Sequence, residues 1–308
     1  LVETPPYDPR KGSTSTMDTY AEYNGWNAHF TNPDQFDYVY SNTIRALAQQ
    51  WWRFQVAPNS TVGSLVIPEG LANYDGLVMN EKKYGKANMR DIVLGQLWYY
   101  LFIRRHMDRP EHPVIKADQW FEWSDKTGTT LYGLRELIGE DSLNKALREF
   151  KNVYAFKSNG PFAGASDLYR YLQKYTPDSL RYYLDDTWQK VTLYNNKINT
   201  VTVKPTRNKD EYQVDLKLTI DKVWLNDKRG EVSASKMNDY IDIGVFGRDT
   251  KDKDGQTKGH FVYLKRYKFT HGDHEISFII KGRAKAVAID PLGYLVDRNP
   301  NDNLKAVE

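Results

Sequence analysis

The sequence contains no cysteine, which excludes disulfides and thiolate metal sites but leaves the cellular compartment open. It also lacks an uninterrupted run of about 18 apolar residues, so no membrane-spanning segment is predicted. Neither sign of charge dominates, with 43 Lys and Arg against 40 Asp and Glu. Because these charges are mixed rather than gathered in a basic stripe, we do not expect the chain to bind nucleic acid.

Aromatic side chains are abundant, with 22 Tyr, 12 Phe and 8 Trp among 308 residues. This ring surface is sufficient for a sizeable core, and part of it could line a groove. The length is enough for two ordinary domains. The first residues do not resemble a signal peptide. We interpret the start of the sequence as a point within a longer chain.

Apolar residues recur at helical spacing through the first two thirds of the chain. Phe36, Tyr40 and Ile44 illustrate this pattern after a start signal at Asn32 and Pro33. Helices are predicted at 33–57, 68–84, 86–105, 127–138, 141–156, 166–175 and 176–191, with one strand near 20–26. This part of the chain is therefore predicted to be mainly helical.

The pattern changes to strict alternation after about residue 196, as in Val214, Leu216 and Leu218. Several such short segments, separated by Gly-, Asp- and Lys-rich turns, are typical of an all-β domain. The sequence therefore predicts an α+β multidomain protein, with a mainly helical domain over 1–195 and a small β-sandwich over 196–308.

One segment resembles a known metal-binding motif. Gln50-Trp51-Trp52 is followed by Glu69, which has Tyr74 five positions later, and 19 residues separate Gln49 from Glu69. This stretch resembles the zinc-binding segment of the gluzincin aminopeptidases, the family of aminopeptidase N and leukotriene hydrolase. There, His-Glu-x-x-His-Gln-Trp-Trp is followed by a Glu on the next helix. The spacer length resembles a bacterial branch fused to an ABC-transporter permease.

Other segments also resemble that branch, and together they extend the likeness over most of the chain. They are 80–85, 132–140, 239–246, 289–291 and 297–300. The family's N-terminal β-domain and the first part of its catalytic domain have no counterpart here. The resemblance implies that 1–195 is a partial peptidase domain with a thermolysin-like helical fold.

The zinc chemistry of that family needs two imidazoles four residues apart on one helix face, with a Glu beside the first as general base. Here these positions are Arg45, Ala46 and Gln49. Arginine stays protonated and cannot ligate zinc, and alanine carries no base. Glu69 is the one family ligand that remains, and the position of the family's transition-state tyrosine falls on Ser124.

These substitutions suggest specific contacts. We hypothesise that the Arg45 guanidinium occupies the place of the metal and pairs with Glu69. Alternatively, Arg45 points to solvent and Glu69 is an acid favoured at a helix start. Trp51 and Trp52 could line a peptide groove, although core packing is more common for such rings. Glu22 resembles the family's Glu that binds the amino terminus of the substrate.

The histidines give no motif of their own. His271 and His274 could form a surface metal clip, but their position between two predicted strands favours a solvated turn. His29 could approach Glu69 in space, which the sequence alone does not decide.

Three functions remain open. The first is a catalytically degenerate peptidase-like domain without a cofactor, which binds a peptide or protein segment or belongs to a membrane transporter assembly. The second is an active zinc metalloaminopeptidase with an unconventional site that includes Glu69 and Glu22. The third is a structural domain that packs against a permease or against the family's missing N-terminal portion. The resemblance implies an extracytoplasmic location, with membrane association through a larger protein and with this part soluble.

Overall fold

The structure, a computed structural model, describes residues 2–4, 12–14, 17–21, 36–226, 228 and 230–307. Helices and antiparallel sheets both occur, so the fold is α+β as predicted. None of the described helices is long and apolar enough to cross a bilayer.

The helices and strands are as follows, numbered in chain order. The helices are α1 (Tyr38–Trp52), α2 (Gly70–Tyr84), α3 (Met89–His106), α4 (Thr127–Ile138), α5 (Glu140–Tyr154), α6 (Ala165–Tyr175) and α7 (Arg181–Trp188). The strands are β1 (Val2–Thr4), β2 (Gly12–Thr14), β3 (Met17–Ala21), β4 (Val191–Tyr194), β5 (Lys197–Pro205), β6 (Glu211–Ile220), β7 (Lys222–Leu225), β8 (Glu231–Ser233), β9 (Asn238–Gly247), β10 (Thr250–Lys251), β11 (Thr257–Lys258), β12 (Phe261–Thr270), β13 (Gly272–Lys281), β14 (Ala284–Ile289) and β15 (Leu304–Ala306).

The chain forms two compact units, which are described separately. The first comprises Leu1–Lys83, His112–Pro177 and Lys253–Gln256, and the second comprises Tyr84–Glu111, Asp178–Asp252 and Thr257–Glu308. The domain boundary near 195 stays a prediction.

The first unit contains α1, α2, α4, α5 and α6, together with a short sheet in the order β1-β3-β2. In α5 the buried side chains Leu143, Leu147 and Phe150 lie at helical spacing. Almost every side chain of α4 is buried, so this helix lies within the core of the unit.

Helix α1 is shorter than the predicted helix at 33–57. Phe36 and Asp37 precede it, and the Asp37 side chain accepts a hydrogen bond of 2.8 Å from the backbone N–H of Tyr40. This cap fixes the start of the helix at Tyr38. The helix ends at Trp52, where Arg53 takes the C-cap position.

The second unit contains α3, α7 and most of the strands. Its sheets have the orders β12-β9-β14-β15, β13-β6-β5 and β4-β7-β8, with β10 and β11 paired as a hairpin. The alternation predicted in β6 is confirmed, because Val214, Leu216 and Leu218 are all buried. The helix predicted at 176–191 is too long, since α7 ends at Trp188 and β4 follows. His274 lies within β13 rather than in a turn.

Candidate functional site

The C-terminal half of α1 presents polar side chains at helical spacing to Glu69. The Arg45 Nη2 atom donates to Glu69 Oε2 at 2.9 Å, and Gln49 Nε2 donates to the same oxygen at 3.0 Å. Arg53 Nη2 donates to the other oxygen, Oε1. The Glu69 side chain is only 11% exposed. The pair hypothesised from the sequence is therefore present, and its carboxylate is shared by three donors.

Ser124 also belongs to this site. It lies in a π-helical turn at Glu122–Lys126 that leads into α4, and its hydroxyl oxygen accepts a 2.9 Å hydrogen bond from Arg45 Nη2. The Ser124 hydroxyl in turn donates to Asp125 Oδ1 at 3.2 Å. The Arg45 Nη2 atom thus contacts both Glu69 and Ser124. By the resemblance, these positions correspond to a metal ligand and to the transition-state tyrosine of the family.

Two further polar groups complete the surroundings. Asn73 Nδ2 donates to Asp125 Oδ1 at 3.1 Å. Burial raises the pKa of Asp125, while the nearby positive charge of Arg45 opposes that rise. The arrangement is therefore one of alternating cations, amides and carboxylates rather than a set of neutral metal ligands.

The two tryptophans of the motif differ in their surroundings. Trp51 is 49% exposed, so the expectation that it packs in the core is wrong. Trp52 is half-buried, and its indole N–H donates to Asp75 Oδ2 at 2.7 Å. Trp52 lies seven residues after Arg45 and so on the same face of α1, whereas Trp51 lies on the opposite face.

Two residues singled out in the sequence, Glu22 and His29, lie outside the described residues. The role predicted for Glu22 in binding an amino terminus stays a prediction. Ala46, at the position of the family's general base, is half-buried in α1.

A separate cluster in the first unit was not predicted. His112, Asp118 and Glu122 bring one potential ligand atom each to within 4.8 Å of one another. No sequence pattern indicates this cluster, because five and three residues separate its members and Glu122 lies in a π-helical turn, which has no regular hydrophobic period.

The chemistry of the Glu69 site follows from its donors. Within the described part of the chain, no group of three His, Asp or Glu side chains suited to a metal includes Glu69. Position 46 carries alanine, whose side chain has no group that could act as a base on water. Comparison with known proteins finds no matching family model and no significantly similar curated protein, so the function proposed next depends on the motif and on this geometry.

Proposed function

We propose that the chain is a catalytically degenerate zinc-aminopeptidase-like domain that binds a peptide or protein segment without cleaving it. The observation that supports this most directly is the contact between the Arg45 guanidinium and Glu69. In the resembled family, a zinc ion interacts with the carboxylate at this position. Here a permanent cation that cannot polarise a bound water takes that interaction instead.

The balance of charge around Glu69 supports the absence of zinc from this position. Arg45 and Arg53 both contact one carboxylate, so a divalent cation would face two positive charges. Gln49 already donates its amide N–H groups toward Glu69, which leaves only its oxygen as a weak ligand. A zinc ion would have to break these contacts and overcome the repulsion.

The same side chains suit a binding role. Arg45 and Arg53 are each about one third exposed, so their remaining N–H groups can reach a peptide carbonyl or carboxylate. Trp52, which is partly exposed and lies seven residues after Arg45 on the same face of α1, can add apolar contact beside them. A peptide would then be held by polar recognition and by one aromatic anchor.

The resemblance also extends to the fold and to partners. We include in the proposal a thermolysin-like helical portion and a β-sandwich in the C-terminal part, where β6 and β9 each pair with two neighbours. By the same resemblance, a membrane permease or an N-terminal portion of the family are candidate partners, and the location is extracytoplasmic. No cofactor is expected under this proposal.

A peptide-binding measurement with an exposed-tryptophan control tests the binding role. An equimolar pool of synthetic pentapeptides with free termini is titrated into the chain, and binding is followed by saturation-transfer NMR. We expect W52A to weaken binding about tenfold or more, because loss of an aromatic anchor costs about 1.4 kcal/mol or more. The control W98A removes another exposed tryptophan, on α3, and should leave binding unchanged.

The alternatives give different results in the same experiment. A purely structural domain would bind none of the pool at millimolar concentration. An active peptidase would shorten the peptides from their amino termini, which mass spectrometry of the pool detects. Equal losses in W52A and W98A would remove the assignment of the binding surface.

A further inference from the structure

The cluster of His112, Asp118 and Glu122 has the spacing of a metal site. His112 Nδ1 lies 3.1 Å from Asp118 Oδ1 and 3.8 Å from Glu122 Oε1. All three ligand atoms lie within 4.8 Å of one another. Tetrahedral zinc with bonds of about 2.0–2.2 Å places its ligand atoms about 3.3 Å apart. Small side-chain rotations would therefore bring the three atoms to a common ion.

A positive species between the three ligand atoms would lower their mutual repulsion. An imidazole nitrogen with a free lone pair and two carboxylate oxygens repel one another at these distances. A proton on His112 Nδ1 would satisfy the contact with Asp118 alone. A divalent ion would instead interact with both carboxylates and the imidazole together.

Glu122 is held in place by the backbone before any ion binds. Its Oε1 accepts from the backbone N–H of His112 at 2.7 Å and from Gln119 Nε2 at 3.0 Å. Its Oε2 accepts from the backbone N–H groups of Asp118 and Gln119 at 2.9 and 3.1 Å. The carboxylate is fully buried. The backbones of the other two ligands thus bind Glu122 directly, which orients the site as supporting hydrogen bonds do in metal centres.

Solvent reaches the cluster from the other side. The side chains of His112 and Asp118 are 40% and 34% exposed. An ion can therefore enter without opening the core, and water can complete its coordination.

We propose that His112, Asp118 and Glu122 form a binding site for a divalent transition-metal ion, with zinc as the reference ion. One imidazole and two carboxylates favour zinc or manganese over calcium, which prefers oxygen ligands throughout. The ion would link His112 and Asp118 to Glu122, which begins the π-helical turn that carries Ser124. This site is separate from Glu69 and does not depend on the proposed peptide-binding role.

Zinc titration of the 308-residue chain tests the site. The chain is first stripped with a chelator, and binding is then measured by isothermal titration calorimetry and by elemental analysis after dialysis. We expect one zinc per chain, with H112A and D118N each weakening binding at least tenfold. Glu122 is left unchanged, because its loss would remove four backbone and side-chain hydrogen bonds.

The chain offers a matched control. His271 Nε2 lies 3.2 Å from Asp221 Oδ1, and these side chains are 41% and 27% exposed. Asp221 and His271 thus form a similar surface pair, which belongs to no three-ligand group among the described residues. H271A and E69Q should both retain the zinc.

Four results would overturn the proposal. They are absence of saturable binding up to millimolar zinc, unchanged binding in H112A and D118N, loss of zinc in H271A, and loss of zinc in E69Q. The third would indicate an adventitious ion only, and the fourth would place the ion at the motif instead.

Discussion

At the residue scale, Glu69 is the group on which the candidate site depends. Its carboxylate accepts from Arg45, Gln49 and Arg53 while the side chain itself is nearly buried. Removal of this carboxylate would leave the two guanidinium cations without a compensating negative charge, which would destabilise the fold. Glu69 therefore has a structural role in this site, as the carboxylate that compensates Arg45 and Arg53.

The substitution E69Q should lower the free energy of unfolding by about 1–3 kcal/mol, because it removes a charge that two guanidinium groups share. Urea denaturation measures the change. The control is E275Q, which breaks the exposed contact of 2.6 Å between Lys217 and Glu275 and should change stability by about 0–1 kcal/mol. Equal effects of the two substitutions would contradict the structural role of Glu69.

Asp75 makes stability depend on pH. Burial raises the pKa of Asp75 to about 6, although the hydrogen bond from the Trp52 indole opposes the rise. The folded chain therefore keeps a proton between about pH 4 and 6 that the unfolded chain has lost. The contribution of Asp75 to the free energy of unfolding therefore falls as the pH rises through that window. Above the window the buried carboxylate is charged, and its full destabilising effect is present.

D75N should remove this cost, because an asparagine oxygen can still accept the hydrogen bond from Trp52 and carries no charge. At pH 8 the variant should be more stable than the unsubstituted chain by about 1–3 kcal/mol, and near pH 4 the two should be equal. Urea denaturation at both values checks this. A difference that does not vary with pH would show that Asp75 is not protonated in the folded state.

The sequence predicted part of the Glu69 site. Helical spacing placed Arg45 and Gln49 on one face, and the resemblance identified Glu69 across from them. It did not identify Arg53, although this residue lies four positions after Gln49 within the predicted helix at 33–57, because only the positions of the family's ligands were compared. The contact of Arg45 with Ser124 depends on the π-helical turn and could not be read from spacing either.

At the element scale, the start of α2 positions Glu69. A Cβ atom on Gly70 would lie 2.5 Å from Thr127 Cγ2 and 2.9 Å from the carbonyl oxygen of Trp123. Only glycine allows α2 to approach the π-helical turn this closely. The approach brings Glu69 and Ser124 to the same guanidinium.

G70A should therefore destabilise the chain by about 1–3 kcal/mol, since the added methyl group overpacks this contact. Gly76 in the same helix provides the control, because a Cβ there would meet no atom within 4 Å. G76A should stabilise the chain by about 0.5–1 kcal/mol through helix propensity. Thermal and urea denaturation measure both, and a neutral G70A would contradict the close approach.

Helices were predicted well from the sequence where a clear hydrophobic period ends at a clear helix-stop residue. The helix at 127–138 agrees with α4, because Gly139 at a φ of 87° ends it. Strand β5 was not predicted. It pairs only with β6 among the described strands and leaves most of its side chains exposed. Apolar alternation in β5 is limited to Val201 and Val203, which is too short to indicate a half-buried strand.

At the scale of the whole molecule, the two units are interleaved along the chain. Helix α3 belongs to the unit that contains most strands, where the buried Arg90 donates to the backbone oxygens of Asp290 and Pro300 at 2.7 and 2.9 Å. A change of sequence period marks where helices give way to strands. It does not reveal that an earlier helix packs with later strands, because such contacts link residues distant in sequence.

For the chain as a whole, we propose an aminopeptidase-like site without aminopeptidase chemistry. Zinc bound at a second place, such as His112 and Asp118, would not by itself contradict it. Metal content must therefore be read together with activity and with its dependence on Glu69.

The most direct test is hydrolysis of an aminoacyl amide by the purified chain with zinc supplied, compared with E69Q and D118N. We predict no turnover above the uncatalysed rate in any of the three, because under our proposal Arg45 takes the place of the ion that would activate water. Turnover that a chelator abolishes, zinc restores, E69Q removes and D118N retains would contradict the account.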